Sequence, residues 1–205
     1  MKDFSKLVII LGGPGGSGRS TIAEGLAEKL NLRRIYGGGI QRQICLEVGY
    51  GDIDKFSGKL KFNEEKFGKY LSEYVPKHPE IDLKIDTKLF EASYEGGVII
   101  ESMNFAPIIK RLNLPYIKIW ITAEEKERAR RICEREQKFG NIFSIDEMIE
   151  ITKKRNETDK KRYNSIYGCD IFDFENIYDF VFDTTDVPKE NMVSEMIKII
   201  EKLIQ

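Results

Sequence analysis

A short run near the start of the chain carries the strongest chemical signal. Gly13-Pro14-Gly15-Gly16-Ser17-Gly18-Arg19-Ser20 fits the spacing G-x-x-x-x-G-basic-S, and Thr21 follows. Glycines let a backbone wrap until its N–H groups point inward, where they suit phosphate oxygens. A helix that opens near Arg19 would add the positive end of its dipole. Ser20 is then placed to ligate Mg²⁺ and Thr21 to touch a phosphate. Residues 13–21 therefore read as a cradle for a nucleoside triphosphate. Lysine is the usual residue at position 19. Arginine is a planar fork on a longer stem, so two readings stand: catalysis with altered geometry, or a nucleotide binder with weakened chemistry.

Two sets of arginines share helix faces. Arg155, Asp159 and Arg162 fall at i, i+4 and i+7, so they can converge on one ligand. Two forked donors suit a dianionic phosphate, and the aspartate between them can orient a guanidinium or accept from an amino group. The alternative is a solvated basic face, since Lys153, Lys154, Lys160 and Lys161 surround them. Arg128, Arg131 and Arg135 fall at i, i+3 and i+7 in a second helical stretch. Pairing at i,i+4 with Glu124, Glu127 and others is the plain reading of that face, above all for Arg128.

The elements that must position these groups alternate along the chain. Residues 7–11 form an apolar run that stops at the glycines, as a strand buried on both faces does. Ile22, Leu26 and Leu30 follow at helical spacing. Residues 97–100, 116–121 and 180–182 read as further strands, ending at Glu101, Thr122 and Asp183, with a weaker one at 34–36. Strands alternating with helices predict an α/β three-layer sandwich built on a mainly parallel sheet. Residues 50–95 read as helical with no strand signal. Residues 138–145 interrupt two charged helices. Both regions are candidate flaps over the carboxyl edge of the sheet, where open α/β sheets bind ligands. Trp120 reads as core rather than a stacking platform, and Tyr36 could face an acceptor base.

Composition narrows the class. The 205 residues carry 33 Lys and Arg against 34 Asp and Glu, a formal net charge of -1, which gives no global field for nucleic acid or an anionic membrane. Cys45, Cys133 and Cys169 are scattered, and His78 has no ligand-spaced neighbours, so neither a disulfide framework nor a metal cluster is indicated. No apolar run approaches a membrane span. A cytoplasmic protein is expected.

Seven segments together resemble the cytidylate kinases, especially their archaeal-type branch, from about Lys6 to Leu203. They are GPGGSGRST, YGGGIQRQ, HPEIDLKID, VIIES, IKIWITAEEKERARRICERE, KRYNSIYGCDI and IYDFVFDTT, in the family's order and spacing. The resemblance implies a single P-loop domain over 1–205 with a five-stranded parallel sheet. Its core would be 1–35, 96–130 and 165–205, its helical monophosphate-binding region 36–95, and its lid 131–147. It implies phosphoryl transfer from ATP to CMP or dCMP with Mg²⁺. A monomer is expected. Arg42 looks like the arginine that holds the acceptor phosphate, Arg155, Asp159 and Arg162 like the set that grips the monophosphate, and Arg131 and Arg135 like the arginines beside the lid that close on the ATP phosphates. Glu101 could position the acceptor or a metal-bound water. The sequence departs from the family at its E-G-R, which is Glu101-Ser102-Met103 here, and at Gly39 and Gln41. Lys110 or Arg111 could supply the missing charge. These departures bear on the acceptor base. They keep open another acceptor (UMP, AMP or a small metabolite) and, with Arg19, a non-catalytic nucleotide-binding module.

Overall fold

The structure is a computed structural model that describes residues 4–50, 52–53, 60–61, 64–109, 112–138 and 140–204. In chain order the elements begin with β1 (Val8–Gly12), α1 (Arg19–Leu30), β2 (Arg33–Tyr36) and α2 (Gly37–Glu47). Two very short strands follow, β3 (Asp52–Ile53) and β4 (Leu60–Lys61), then α3 (Glu64–Lys69), a π-helical turn Tyr70–Tyr74 and a 3₁₀ turn Val75–Lys77. The chain continues through α4 (Glu80–Glu95), β5 (Val98–Glu101), α5 (Phe105–Ile108), β6 (Tyr116–Thr122) and α6 (Glu125–Gln137). It ends with α7 (Ile145–Tyr167), α8 (Phe174–Ile177), β7 (Phe180–Asp183) and α9 (Met192–Leu203).

Five strands form one parallel sheet in the order β2-β5-β1-β6-β7. The expected strand positions hold, and β1 is central with every residue buried. Alternation along it serves two cores. Leu7, Ile9 and Leu11 meet α1 and α9 through Ile22, Leu26, Met196 and Ile200. Val8 and Ile10 face the other way, toward Ile85 and Leu89 of α4 and Phe105 of α5. A period of two in a run apolar on both faces makes the middle layer of a sandwich. Trp120 is core, stacked on Phe174 at 5.6 Å between ring centroids. One reading is corrected: residues 50–95 are not free of strands, because β3 and β4 pair antiparallel. Two-residue strands are too short to show a period.

The strand order fixes the site. β1 and β5 carry Gly12 and Glu101 to the same carboxyl edge, and β2 lies beside β5 with Tyr36 opposite Glu101. Smaller clusters hold the outer helices. Cys45, Phe67, Tyr70, Leu71 and Val75 tie α2 to the segment after β4. Ala129, Ile132 and Met148 tie α6 to α7. α6 ends at Gln137, and a capping box at Ser144 and Glu147 starts α7.

Candidate active site

The glycine-rich loop leaves β1 at the centre of the sheet and turns into α1. Gly16 has φ 81°, and a Cβ there would lie 2.5 Å from the Arg128 carbonyl oxygen, so only glycine lets the loop pass under α6. Gly18 caps α1 without a side-chain hydrogen bond, and the first turn holds no acidic residue. The leading N–H groups of a helix lack intrahelical acceptors, and here no side chain competes with an anion for them.

Beneath the loop Glu101 is fully buried and gathers three donors. Ser20 Oγ donates to its Oε1 at 2.6 Å, and Arg19 Nε donates to the same oxygen at 3.3 Å. Arg34 donates Nε and Nη2 to Oε2 at 3.1 and 2.6 Å, and its Nη1 to Glu24 at 2.8 Å. Burial works to raise the Glu101 pKa, but the Arg19 charge, the Ser20 hydroxyl and the Arg34 fork outweigh it and hold it below the usual carboxylate range. Arg19 turns down to Glu101 and the Gly13 carbonyl oxygen. Glu101 lies buried beneath the loop, where it holds Ser20.

From the opposite side, α6 brings its arginines to the loop. Arg131 donates Nη1 to the Gly16 carbonyl at 3.4 Å and to Thr184 Oγ1 at 2.9 Å, and Nε to Glu127 at 2.8 Å. Arg135 lies one turn on, half-exposed, with Nη2 3.1 Å from Glu136. Arg128 is tied by Nε to the Ala123 carbonyl at 3.0 Å, a backbone oxygen where a glutamate partner was expected.

The far end of the cleft is built from β2, α2, α4 and α7. Arg42 donates to the Tyr36 hydroxyl, and the Arg42 and Arg155 guanidinium carbons lie 5.3 and 5.2 Å from the Phe67 ring centroid. A Cβ on Gly39 would come within 2.8 Å of the Tyr36 ring, so this departure makes room for Tyr36. Arg162 is buried, with Nη2 3.0 Å from Asp159 Oδ1 and Nε 3.7 Å from Asp82 Oδ2. Asp86 accepts from Tyr167 Oη and from Asn104 Nδ2 at 3.2 Å, and Asn104 Oδ1 accepts from Ser102 Oγ at 2.7 Å. Burial pushes the Asp86 carboxyl up to about 6. One cavity of about 1600 Å³ connects this end to residues 13–21, with Arg19, Arg42, Arg131, Arg135, Arg155, Asp159 and Arg162 in its walls. Single ligand sites span about 300–1,000 Å³, so this cleft has room for two.

Comparison with known proteins agrees with that architecture. The model of the cytidylate kinase-like family matches residues 8–186. The chain belongs to this family. Membership makes it a phosphotransferase of the kinase type. A cytidylate kinase of Methanocaldococcus jannaschii is 34% identical over 200 residues, covering 96% of this chain and 100% of the relative. One from Thermococcus kodakarensis is 35% identical over 178 residues, covering 87% and 79%. Among solved structures, an uncharacterized protein from Eubacterium ventriosum has a TM-score of 0.61 at 17% identity, covering 96% of this chain and 99% of that one. Shikimate kinase from Acinetobacter baumannii has a TM-score of 0.51 at 11% identity, covering 98% and 95%. At such identities these two speak for the fold alone.

Within this cytidylate kinase-like frame, sequence reasoning passed over Arg34 and Asp82. Arg34 is the only cation besides Arg19 on the Glu101 carboxylate among the described residues, yet it reads as one charge in a weak four-residue strand. Asp82 and Asp86 sit on the buried face of α4 with Ile81, Ile85 and Leu89. Acids interleaved with an apolar stripe were the available signal. Lys110 and Arg111, the candidate replacement charges, lie outside the described residues. His78 stacks on Tyr74 at 4.1 Å and pairs with Glu80. Among the described residues no helix is long and apolar enough to cross a membrane.

Proposed function

We propose that the protein transfers the γ-phosphoryl group of ATP, with Mg²⁺, to CMP or dCMP. The observation that carries this reading is the single cleft that joins the phosphate loop to the Arg42, Arg155 and Arg162 cluster. The curated relatives' names supply the acceptor. In the reaction an oxygen of the acceptor phosphate attacks the γ-phosphorus. The bond from that phosphorus to the β–γ bridging oxygen breaks, and ADP leaves. The attacking oxygen is already ionised near neutral pH, so no general base is needed. The protein's work is alignment, water exclusion and charge neutralisation.

Each part of the cleft has a task in this reading. The N–H groups at the start of α1 hold the β-phosphate region, and Arg19 moves from Glu101 to the transferring group. Arg131 and Arg135 approach from residues 131–147, acting as the lid, while residues 36–95 close over the acceptor. Arg42 and Arg155 share the acceptor phosphate. The donor set fits Mg²⁺: Ser20 Oγ donates a hydrogen bond to Glu101, which leaves its lone pairs for a hard cation. Bound there, the ion would neutralise charge on the triphosphate. The cleft is built within one chain and its substrates are soluble anions, which suits a monomer working in the cytoplasm.

The test is a panel of CMP, dCMP, UMP and AMP with Mg-ATP, read as ADP formed. CMP or dCMP should give the highest kcat/KM. Preference for UMP or AMP would overturn the acceptor, and tight ATP binding without turnover on any acceptor would overturn catalysis.

A further inference from the structure

None of the residues given a task in the reaction comes from the IYDFVFDTT segment, which runs through β7. Thr184 is the first residue past that strand and is fully buried. It does not line the cleft, although Thr185 and Asp186 do. Its two oxygens meet three elements at once. Oγ1 lies 2.8 Å from the Ser17 carbonyl oxygen in the phosphate loop and 3.0 Å from the Thr122 carbonyl oxygen at the end of β6. Arg131 of α6 straddles the residue, donating Nη1 to Oγ1 at 2.9 Å and Nη2 to the Thr184 carbonyl oxygen at 2.8 Å. The same Nη1 lies 3.4 Å from the Gly16 carbonyl oxygen, and Glu127 holds Nε at 2.8 Å.

A hydroxyl has one proton to donate. The Ser17 carbonyl is the nearer acceptor, and the Thr122 carbonyl already accepts the Thr184 N–H at 2.9 Å, so the proton goes to Ser17. A loop that holds phosphates by its N–H groups must turn its carbonyls away from them and give each a donor elsewhere. Here Arg19 serves Gly13, Arg131 serves Gly16 and Thr184 serves Ser17. Across a trans peptide the C=O and the following N–H point in opposite directions. With the Ser17 carbonyl drawn back onto Thr184, the Gly18 N–H turns to the cleft side, at the positive end of α1. We propose that Thr184 is a positioning residue for the triphosphate. Its hydroxyl sets the Ser17–Gly18 peptide with the N–H toward the anion, and its two oxygens fix the Arg131 guanidinium beside the loop. Arg131 then meets the phosphates from a fixed point at the base of the lid. The inference rests on the donor site proposed above.

The test separates the hydroxyl from the bulk of the side chain. Thr184→Val keeps the shape and removes the hydroxyl; Thr184→Ser keeps the hydroxyl and removes a methyl. Calorimetric affinity for Mg-ADP, steady-state kcat/KM for Mg-ATP at saturating acceptor, acceptor KM and thermal midpoint are measured for each. Thr184→Val should lose roughly ten- to a hundredfold in kcat/KM for Mg-ATP, the size of one charged hydrogen bond, and roughly tenfold in Mg-ADP affinity. Acceptor KM should change by less than about twofold. Thr184→Ser should stay within about threefold of wild type on both donor readouts, even where loss of a buried methyl lowers its thermal midpoint. In an Arg131→Met background the valine change should cost at least about threefold less than in wild type, because part of what it removes is already gone. Equal losses for donor and acceptor, or a serine variant as poor as the valine variant, would assign Thr184 to packing and overturn the inference. An undiminished valine cost beside Arg131→Met would overturn it too. Where Thr184→Val does not fold, Thr184→Ser and Thr184→Ala decide, since they differ by the hydroxyl alone: equal Mg-ADP affinity overturns the inference. A wild type that binds neither Mg-ATP nor Mg-ADP overturns the donor site itself, and this outcome is visible before any variant is made.

Discussion

Replacing Arg34 by methionine isolates what the second cation on Glu101 does. Glu101 is fully buried, and its charge is balanced by Arg19 at 3.3 Å and by the Arg34 fork at 3.1 and 2.6 Å. While the site is empty, Arg34→Met leaves Arg19 to hold the carboxylate. When Mg-ATP arrives, Arg19 is wanted at the phosphates. With Arg34 present, Glu101 keeps a counter-ion after Arg19 leaves. Without it, Arg19 stays behind or a buried anion is stranded, which costs about 3–5 kcal/mol in a dry interior. Arg34 is about one-fifth exposed, so solvent reduces this toward about 1.5–3 kcal/mol, the worth of a charge-assisted bond. The expected loss in kcat/KM for ATP is therefore roughly ten- to a hundredfold. KM for the acceptor should change by less than about twofold, since no acceptor contact is removed. Arg34→Lys keeps the charge but loses the fork, and should fall between the two. Arg19→Lys in the wild-type background should keep most activity, since a lysine there still carries the charge. The assay is initial-rate ADP formation against Mg-ATP at saturating acceptor, with denaturant unfolding to confirm folded protein. Unchanged kcat/KM for ATP in Arg34→Met, or equal loss for both substrates, would refute the argument.

Three further outcomes follow from the geometry. Gly16→Ala places a Cβ 2.5 Å from the Arg128 carbonyl at φ 81°, so stability should fall by about 1–3 kcal/mol or more, with weakened ATP binding read by calorimetry. Amide hydrogen exchange over residues 140–143, between α6 and α7, should slow when a bisubstrate analogue binds; equal rates with and without it would mark a fixed loop. Asp86 is pushed from the ordinary 3.8 to about 6, so its contribution to stability is full below about pH 4 and is lost as pH rises through about 6. Relative to Asp86→Asn, wild type should therefore lose about 3 kcal/mol between pH 4 and pH 7, measured by urea unfolding at each pH. A gap between the two proteins that does not move with pH would remove the burial argument.

The sequence alone determined what depends on neighbours along the chain. The apolar run of residues 7–11, cut off by glycines, reads as an inner strand, and a glycine loop that opens a helix presents its N–H groups. The i, i+4, i+7 spacing of Arg155, Asp159 and Arg162 puts them on one face of α7 whatever surrounds it. Local steric and hydrogen-bond rules settle these features, so composition and spacing suffice. The tertiary structure decided what depends on strand order. Glu101 lies under Ser20, and Arg34 beside Glu101, because β5 sits between β1 and β2, an adjacency across 67 residues that no local pattern encodes. Burial then sets what charges can do: Asp82, an ordinary acid in the sequence, lies 3.7 Å from Arg162 in a buried ion pair only because the sheet, α4 and α7 close around them. Long-range packing sets the dielectric and the available partners of a charged group, and those two quantities decide what it can do.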